Sequence, residues 1–280
     1  KRSCGLASGA RTSLAASGLH GIELRAAATN NEVVGNFIGT NLLGAALGNE
    51  GSGVSLADAP GNFIGVTSPA NGSMRAGNVI SRNTENGITI SEVDGSADGN
   101  VIRANLIGTS VLGIGDLGNG VHGIDVSHAD GTQTGGPEDG DGNVIAFNGS
   151  DRGLQGHGVV VLLGDQNSIR RNSIHSNAGR GIEQSKGSTP DTFTLNDSSD
   201  EIDGIQNYPV AVAVEFLGAT KRITFELKST PLTVFDWDFF ANAVPDPSGF
   251  GEGLMLIHTA QTATDIDGLS TFPLETDSAR

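Results

Sequence analysis

One phrase recurs along this chain: a glycine, an aliphatic residue, a variable residue and a second aliphatic residue. It reads Gly21-Ile22-Glu23-Leu24, Gly53-Val54-Ser55-Leu56, Gly87-Ile88-Thr89-Ile90, Gly123-Ile124-Asp125-Val126, Gly158-Val159-Val160-Val161 and, with a polar ending, Gly181-Ile182-Glu183-Gln184. Its second positions lie 32, 34, 36, 35 and 23 residues apart, a period with insertions of varying length, which marks a stacked array. Alternation puts the two aliphatic residues of each phrase on one face and the variable residue on the other, so each phrase reads as a short strand.

Between these phrases stand others built as Asn-x-Ile: Asn62-Phe63-Ile64, Asn78-Val79-Ile80, Asn100-Val101-Ile102, Asn105-Leu106-Ile107, Asn143-Val144-Ile145, Asn167-Ser168-Ile169 and Asn172-Ser173-Ile174. Each coil therefore carries about three strands, and the expected fold is a right-handed parallel β-helix in which inward aliphatic side chains stack in columns about 4.8 Å apart. The asparagines are expected at tight bends, where they tolerate left-handed backbone and bond one another along the axis, with the neighbouring glycine supplying positive φ.

Composition agrees with this. The 280 residues include 42 glycines and few aromatics, a load that few helices survive. The 32 acidic against 16 basic residues leave a formal charge of −16, which opposes nucleic-acid binding because phosphate needs clustered Lys and Arg. A single cysteine, Cys4, rules out an internal disulfide. No apolar run approaches the ~20 residues of a membrane span. The chain opens on Lys1 without a charged-apolar leader, and reads as a processed form or a fragment.

The phrases stop near residue 190. Residues 1–190 are assigned to the β-helix, 191–208 to an acidic linker rich in Ser, Thr, Asp and Pro, and 209–280 to a small antiparallel β-sandwich. Strands are expected at Val210 to Phe216, Ile223 to Leu227, Val234 to Ala241, Leu254 to Thr259 and Ser270 to Leu274, with most of Phe235, Trp237, Phe239, Phe240 and Tyr208 expected to pack its core and an exposed sugar-stacking platform as the alternative.

The stretches "GNVISRNTENGITI", "NLIGTSVLGIGDLGNG", "LNDSSDEIDGIQNYPV" and "FFANAVPDPSGFGEG" resemble a group of bacterial secreted or surface proteins. These carry β-helix repeats of the pectate-lyase-like type followed by an immunoglobulin-like module. The resemblance implies an extracellular or cell-surface location and a right-handed β-helix. By analogy of fold it points to polysaccharide, with lyases and hydrolases among the relatives. Gly156-His157-Gly158 resembles the Gly-His-Gly of polygalacturonases, but the other signatures of that branch are missing, and Gly179-Arg180-Gly181 stands where an Arg-Ile-Lys would be needed.

The outward column of the recurring strand, Glu23, Ser55, Thr89, Asp125, Val160 and Glu183, becomes chemically dense toward its end. His122, His157 and Arg180 precede the glycine in successive coils, at the place held by Asn86 in the coil before, so His122, Asp125, His157, Arg180 and Glu183 form the candidate catalytic face. Asp125 and Glu183 lie two rungs apart, about 9.5 Å, near the upper limit for the carboxylates of an inverting glycosidase. The insertion 127–143 emerges beside Asp125, and its Asp130, Glu138, Asp139 and Asp141 are candidate calcium ligands. It is not an EF-hand, since Val144 and Ser150 stand where that loop needs Gly and Glu. A second acidic cluster comprises Asp197, Asp200, Glu201 and Asp203. The glycine-rich "GIGDLGNG" lacks the strand-to-helix setting of a nucleotide site.

Three functions are expected from these features. The first is recognition of extracellular polysaccharide or a cell surface, with calcium as a bound ion. The second is an extracellular hydrolase using the candidate face beside the 127–143 loop. The third, a polysaccharide lyase, is weakened because Arg180 is the only strong cation on the stripe.

Overall fold

The structure, a computed structural model, describes residues 3–4, 12–66, 77–149, 156–187, 196–197, 205–244 and 251–277. None of the described residues is helical, and none belongs to a helix long and apolar enough to cross a membrane. The chain groups into two units, Lys1–Pro190 with Asn242–Met255, and Asp191–Ala241 with Leu256–Arg280.

The first unit is a parallel β-helix of three six-stranded sheets. The first sheet stacks Ser3–Cys4, Glu32–Val33, Phe63–Gly65, Val101–Arg103, Gln133–Gly135 and Ser168–Arg170. The second stacks Ser13–Leu14, Phe37–Ile38, Val79–Ile80, Leu106–Ile107, Val144–Ala146 and Ser173–His175. The third holds the recurring phrase: Ile22–Arg25, Val54–Ala57, Ile88–Ser91, Ile124–Ser127, Val159–Leu162 and Ile182–Ser185.

Register in the third sheet is unbroken, with Ile22, Val54, Ile88, Ile124, Val159 and Ile182 opposite one another in turn. The four middle members of this column are 0 % exposed, whereas Ile182, in the last coil, is 45 % exposed. Ile38, Ile80, Ile107, Ile145 and Ile174 form the matching column of the second sheet, and Val33, Ile64 and Ile102 that of the first, so the core is one aliphatic cluster. The second sheet is buried on its outer face as well, where Phe37, Val79, Leu106 and Val144 pack with Ala146 and Phe147. This explains why the phrases at Asn78, Asn105 and Asn143 carry two adjacent apolar residues; alternation alone would leave one of them in water.

Two points differ from the sequence expectation. The stretch 127–143 is not an insertion, because it contains the first-sheet strand Gln133–Gly135. Threonine disguises it: Thr134 takes the inward place, paired with Ile102 and Ile169, and Thr132 takes the place of a ladder asparagine, its N–H donated to Asn167 Oδ1 at 2.8 Å. The left-handed backbone at the bends also falls on the residue before the asparagine rather than on the asparagine. Arg82, Ala104, Phe147, Arg171 and Ser176 have φ of 63, 55, 63, 58 and 58°. Glycine takes that place before Asn62, where Gly61 has φ 64°. The glycine of the recurring phrase serves close approach instead, since a Cβ on Gly123 would lie 2.6 Å from the Gly158 carbonyl oxygen.

In the second unit Val210–Leu217, Thr220–Lys228 and Leu269–Asp277 form an antiparallel sheet, and Val234–Ala241 pairs with Met255–Ala263. Leu227, Trp237, Phe239 and Leu274 are its buried core, flanked by Phe225, Phe235, Ile257 and Phe272. Trp237 Nε1–H donates to Thr262 Oγ1 at 2.7 Å, which satisfies the indole inside that core. Tyr208 is 42 % exposed and does not belong to the core. Its backbone instead exchanges two hydrogen bonds with the Asn196 side chain.

Candidate functional site

Every bend of the β-helix is closed by side chains that bond the next coil. Asn36, Asn78, Asn105, Asn143 and Asn172 form one ladder, each Nδ2 donating to the next Oδ1 at 2.8–3.1 Å. Asn143 thus belongs to the architecture. Asn49, Asn83, Asn119, Asn148 and Asn177 form a second at 2.8–2.9 Å. Sequence reading missed this one, although its spacing was visible: Asn49, Asn83, Asn119 and Asn177 each stand four residues before a third-sheet glycine. The Oδ1 of Asn78, Asn105, Asn143 and Asn172 in the first ladder, and of Asn119, Asn148 and Asn177 in the second, also accepts the preceding rung's backbone N–H, which satisfies those buried amides.

The candidate catalytic face sits on a ladder of the same kind. Asn86 Oδ1 accepts the His122 N–H at 2.9 Å, His122 Nδ1 accepts the His157 N–H at 3.0 Å, and His157 Nδ1 accepts the Arg180 N–H at 2.8 Å. His20 does the same for Ser52 at 3.0 Å. The His122 and His157 rings stack with centroids 5.3 Å apart and planes 12° from parallel. An imidazole that accepts at Nδ1 is neutral and carries its proton on Nε2. Histidine therefore holds the place that asparagine holds one coil earlier, and for the same reason.

The structure brings the five residues together in register, with Asp125 opposite Val160 and Val160 opposite Glu183. Each is already engaged. Asp125 Oδ1 accepts from Ser127 Oγ–H at 2.7 Å and Oδ2 from Asn86 Nδ2 at 3.3 Å. Burial pushes the Asp125 carboxyl above its ordinary value, and these two hydrogen bonds pull the other way. Arg180 and Glu183 form an ion pair within the last coil. His157, Val160 and Glu183 are 1, 0 and 3 % exposed, so the end of the stripe is closed although alternation turns it outward.

The four candidate calcium ligands do not converge. Asp141 is buried and lies 3.3 Å from Arg103 Nη1, and its carboxylate also accepts the Glu138 N–H. Asp139, well exposed, pairs with Arg171. Glu138 is exposed. Asp130 belongs to an acidic ladder in which Asp98 accepts the Asp130 N–H and Asp130 accepts the Asp165 N–H, both at 2.7 Å. Among the described residues no group of three or more His, Cys, Asp or Glu side chains is arranged to hold a metal ion. Asp197 is described; Asp200, Glu201 and Asp203 lie outside the described residues.

The segment "GIGDLGNG" belongs to a bridged loop between the second and third sheets, closed by Thr109 and Asp116, and an equivalent loop two coils earlier is closed by Thr40 and Ala46. Their tips are apolar and open to solvent, with Leu43, Leu112 and Ile114 at 93, 74 and 77 % exposure.

Fold and stripe together define a parallel β-helix whose ionisable face is built into its stacking. No protein-family model and no curated protein matches the chain.

Proposed function

We propose that this chain is a secreted or surface-displayed β-helix of the pectate-lyase-like type that recognises extracellular polysaccharide or a cell-surface ligand and does not cleave it. The observation that carries this reading is the commitment of the candidate catalytic groups: both imidazoles accept coil-to-coil N–H bonds, and Arg180 is spent on Glu183. A general base must be free to take a proton at the atom facing substrate, and a closed, laddered stripe offers poor access. The two apolar loop tips support a contact role, since exposed apolar side chains repeated at one corner suit a partner surface. Calcium has no part in the reading.

The hydrolase alternative keeps one supporting observation, the upward push on Asp125, which is the direction a general acid needs. Its partner carboxylate would be Glu183, already paired with Arg180. The lyase reading has less, because that pairing also removes its only cation.

The test is a paired screen on a panel of extracellular polysaccharides and intact cells, measuring retention of the protein and release of reducing or unsaturated ends. Binding without product, weakened at least fivefold in Leu43→Asp/Leu112→Asp, is expected. Product release that disappears in Asp125→Asn and in His157→Ala would replace this reading with the hydrolase.

A further inference from the structure

The asparagine ladder that starts at Asn49 does not end on an asparagine. Each rung accepts at Oδ1 and donates at Nδ2, so the last rung, Asn177, still has donors to place. They are met by Glu252, which lies far away in sequence: its Oε1 accepts Asn177 Nδ2–H at 2.9 Å and the Asn177 backbone N–H at 3.1 Å. This repeats the double acceptance that Asn119, Asn148 and Asn177 each give the rung before them. A carboxylate accepts without donating, so it closes the relay where an amide would pass the demand onward. Glu252 is 7 % exposed.

The residues beside it add further acceptors to the last coil, in an antiparallel sense. Gly253 carbonyl oxygen accepts the Ile174 N–H at 2.8 Å and makes an isolated bridge with it, and the Leu254 carbonyl oxygen accepts from Ser173 Oγ–H at 2.6 Å. Asn242 holds the strap in shape, donating to the Glu252 carbonyl oxygen and accepting the Leu254 N–H at 2.8 Å. Asn242–Met255 accordingly belongs to the first unit, although its ends continue into Val234–Ala241 and Met255–Ala263.

We propose that Glu252–Leu254, held by Asn242, form a strap that closes the end of the β-helix, with Glu252 as its positioning residue, and that its seating sets whether the last coil is shut. The turn it secures runs from Asn177 to Gly181 and includes Arg180, whose N–H rests on His157 Nδ1. Lifting the strap removes the acceptors of Ile174 and Asn177, loosens that turn, and frees Arg180 and Glu183 from the stripe while the earlier coils stay stacked.

Amide hydrogen exchange on the full chain tests this. In Glu252→Ala the amides of Ile174, Asn177 and Arg180 are expected to exchange at least tenfold faster, with those of Ile88 and Ile124 unchanged. Glu252→Gln, which keeps an acceptor oxygen, should return them to within about threefold of wild type. Asn242→Ala leaves the ladder intact and loosens only the strap, so it should show the same pattern at smaller amplitude, and it is read in place of Glu252→Ala if that variant does not fold. Unchanged exchange at Ile174 and Asn177, or an equal rise across all coils, would overturn the proposal.

Discussion

The two units solve the same problem by different means. In the β-helix each residue is held by its equivalent one coil away, in columns of aliphatic side chains and ladders of amides. In the second unit, order depends on four buried side chains, two of them aromatic, brought together from three strands. Its edge strand Val210–Leu217 is exposed along its whole length, with Phe216 75 % in solvent. A repeated interface spreads stability over many equivalent contacts. A small core concentrates it in a few, so single truncations should act differently in the two units.

The largest effect is expected from Phe239→Ala, which empties the centre of the aromatic cluster and should destabilise the second unit by roughly 3–5 kcal/mol. Trp237, the chain's one tryptophan, packs on Phe239 and reports that unit by fluorescence. A fluorescence midpoint unmoved by the change would break the comparison. Ile88→Ala should cost about 2–5 kcal/mol in the β-helix. Far-UV circular dichroism should show that loss while the tryptophan transition stays where it is.

Asn119→Ala comes next. It deletes no large volume but removes the Oδ1 that accepts both the Asn83 N–H and one Asn83 Nδ2–H, at a cost of about 1–3 kcal/mol in thermal melting. Equal stability to wild type would show that the ladders decorate the bends and do not hold them.

Asp125→Asn should have a small effect with a definite sign. The folded-state value of the carboxyl is raised, so the folded protein binds the proton more tightly than the unfolded chain, and the ionised group subtracts stability at neutral pH. That loss fades as pH falls through the raised value toward the ordinary 3.8. The variant should therefore melt slightly above wild type at pH 7, and the gap should close near pH 4. A variant that melts below wild type at pH 7 would show that Ser127 and Asn86 outweigh burial. The smallest expected effect is none: calcium and chelator should give the same melting temperature, since Asp141 and Asp139 already have arginine partners.

Some of the site was legible in the residues. Asp125, His157 and Glu183 share a face because a period of aliphatic pairs places them there, and the stacking follows that period. Their roles were not legible. A histidine before a glycine reads as a reactive group, and only the 3.0 and 2.8 Å bonds at Nδ1 reveal an asparagine substitute. The acidic run 138–141 looked like a metal loop because carboxylates next to one another in sequence repel, and the arginines that relieve them come from residues 103 and 171.

The amino-acid sequence by itself determined the coil, its three strands and the inward columns, since these follow from alternation and repeat length, which are local properties. It also placed the aromatic residues that build the second core. Tertiary structure alone decided what the corners do and how the β-helix ends. Whether a polar side chain is a catalyst, a ligand or a rung depends on which backbone group lies one coil away. Glu252 shows this most plainly: 75 residues separate it from Asn177, no repeat marks it, and it becomes the last acceptor only because the folded chain returns it to a ladder that needs one.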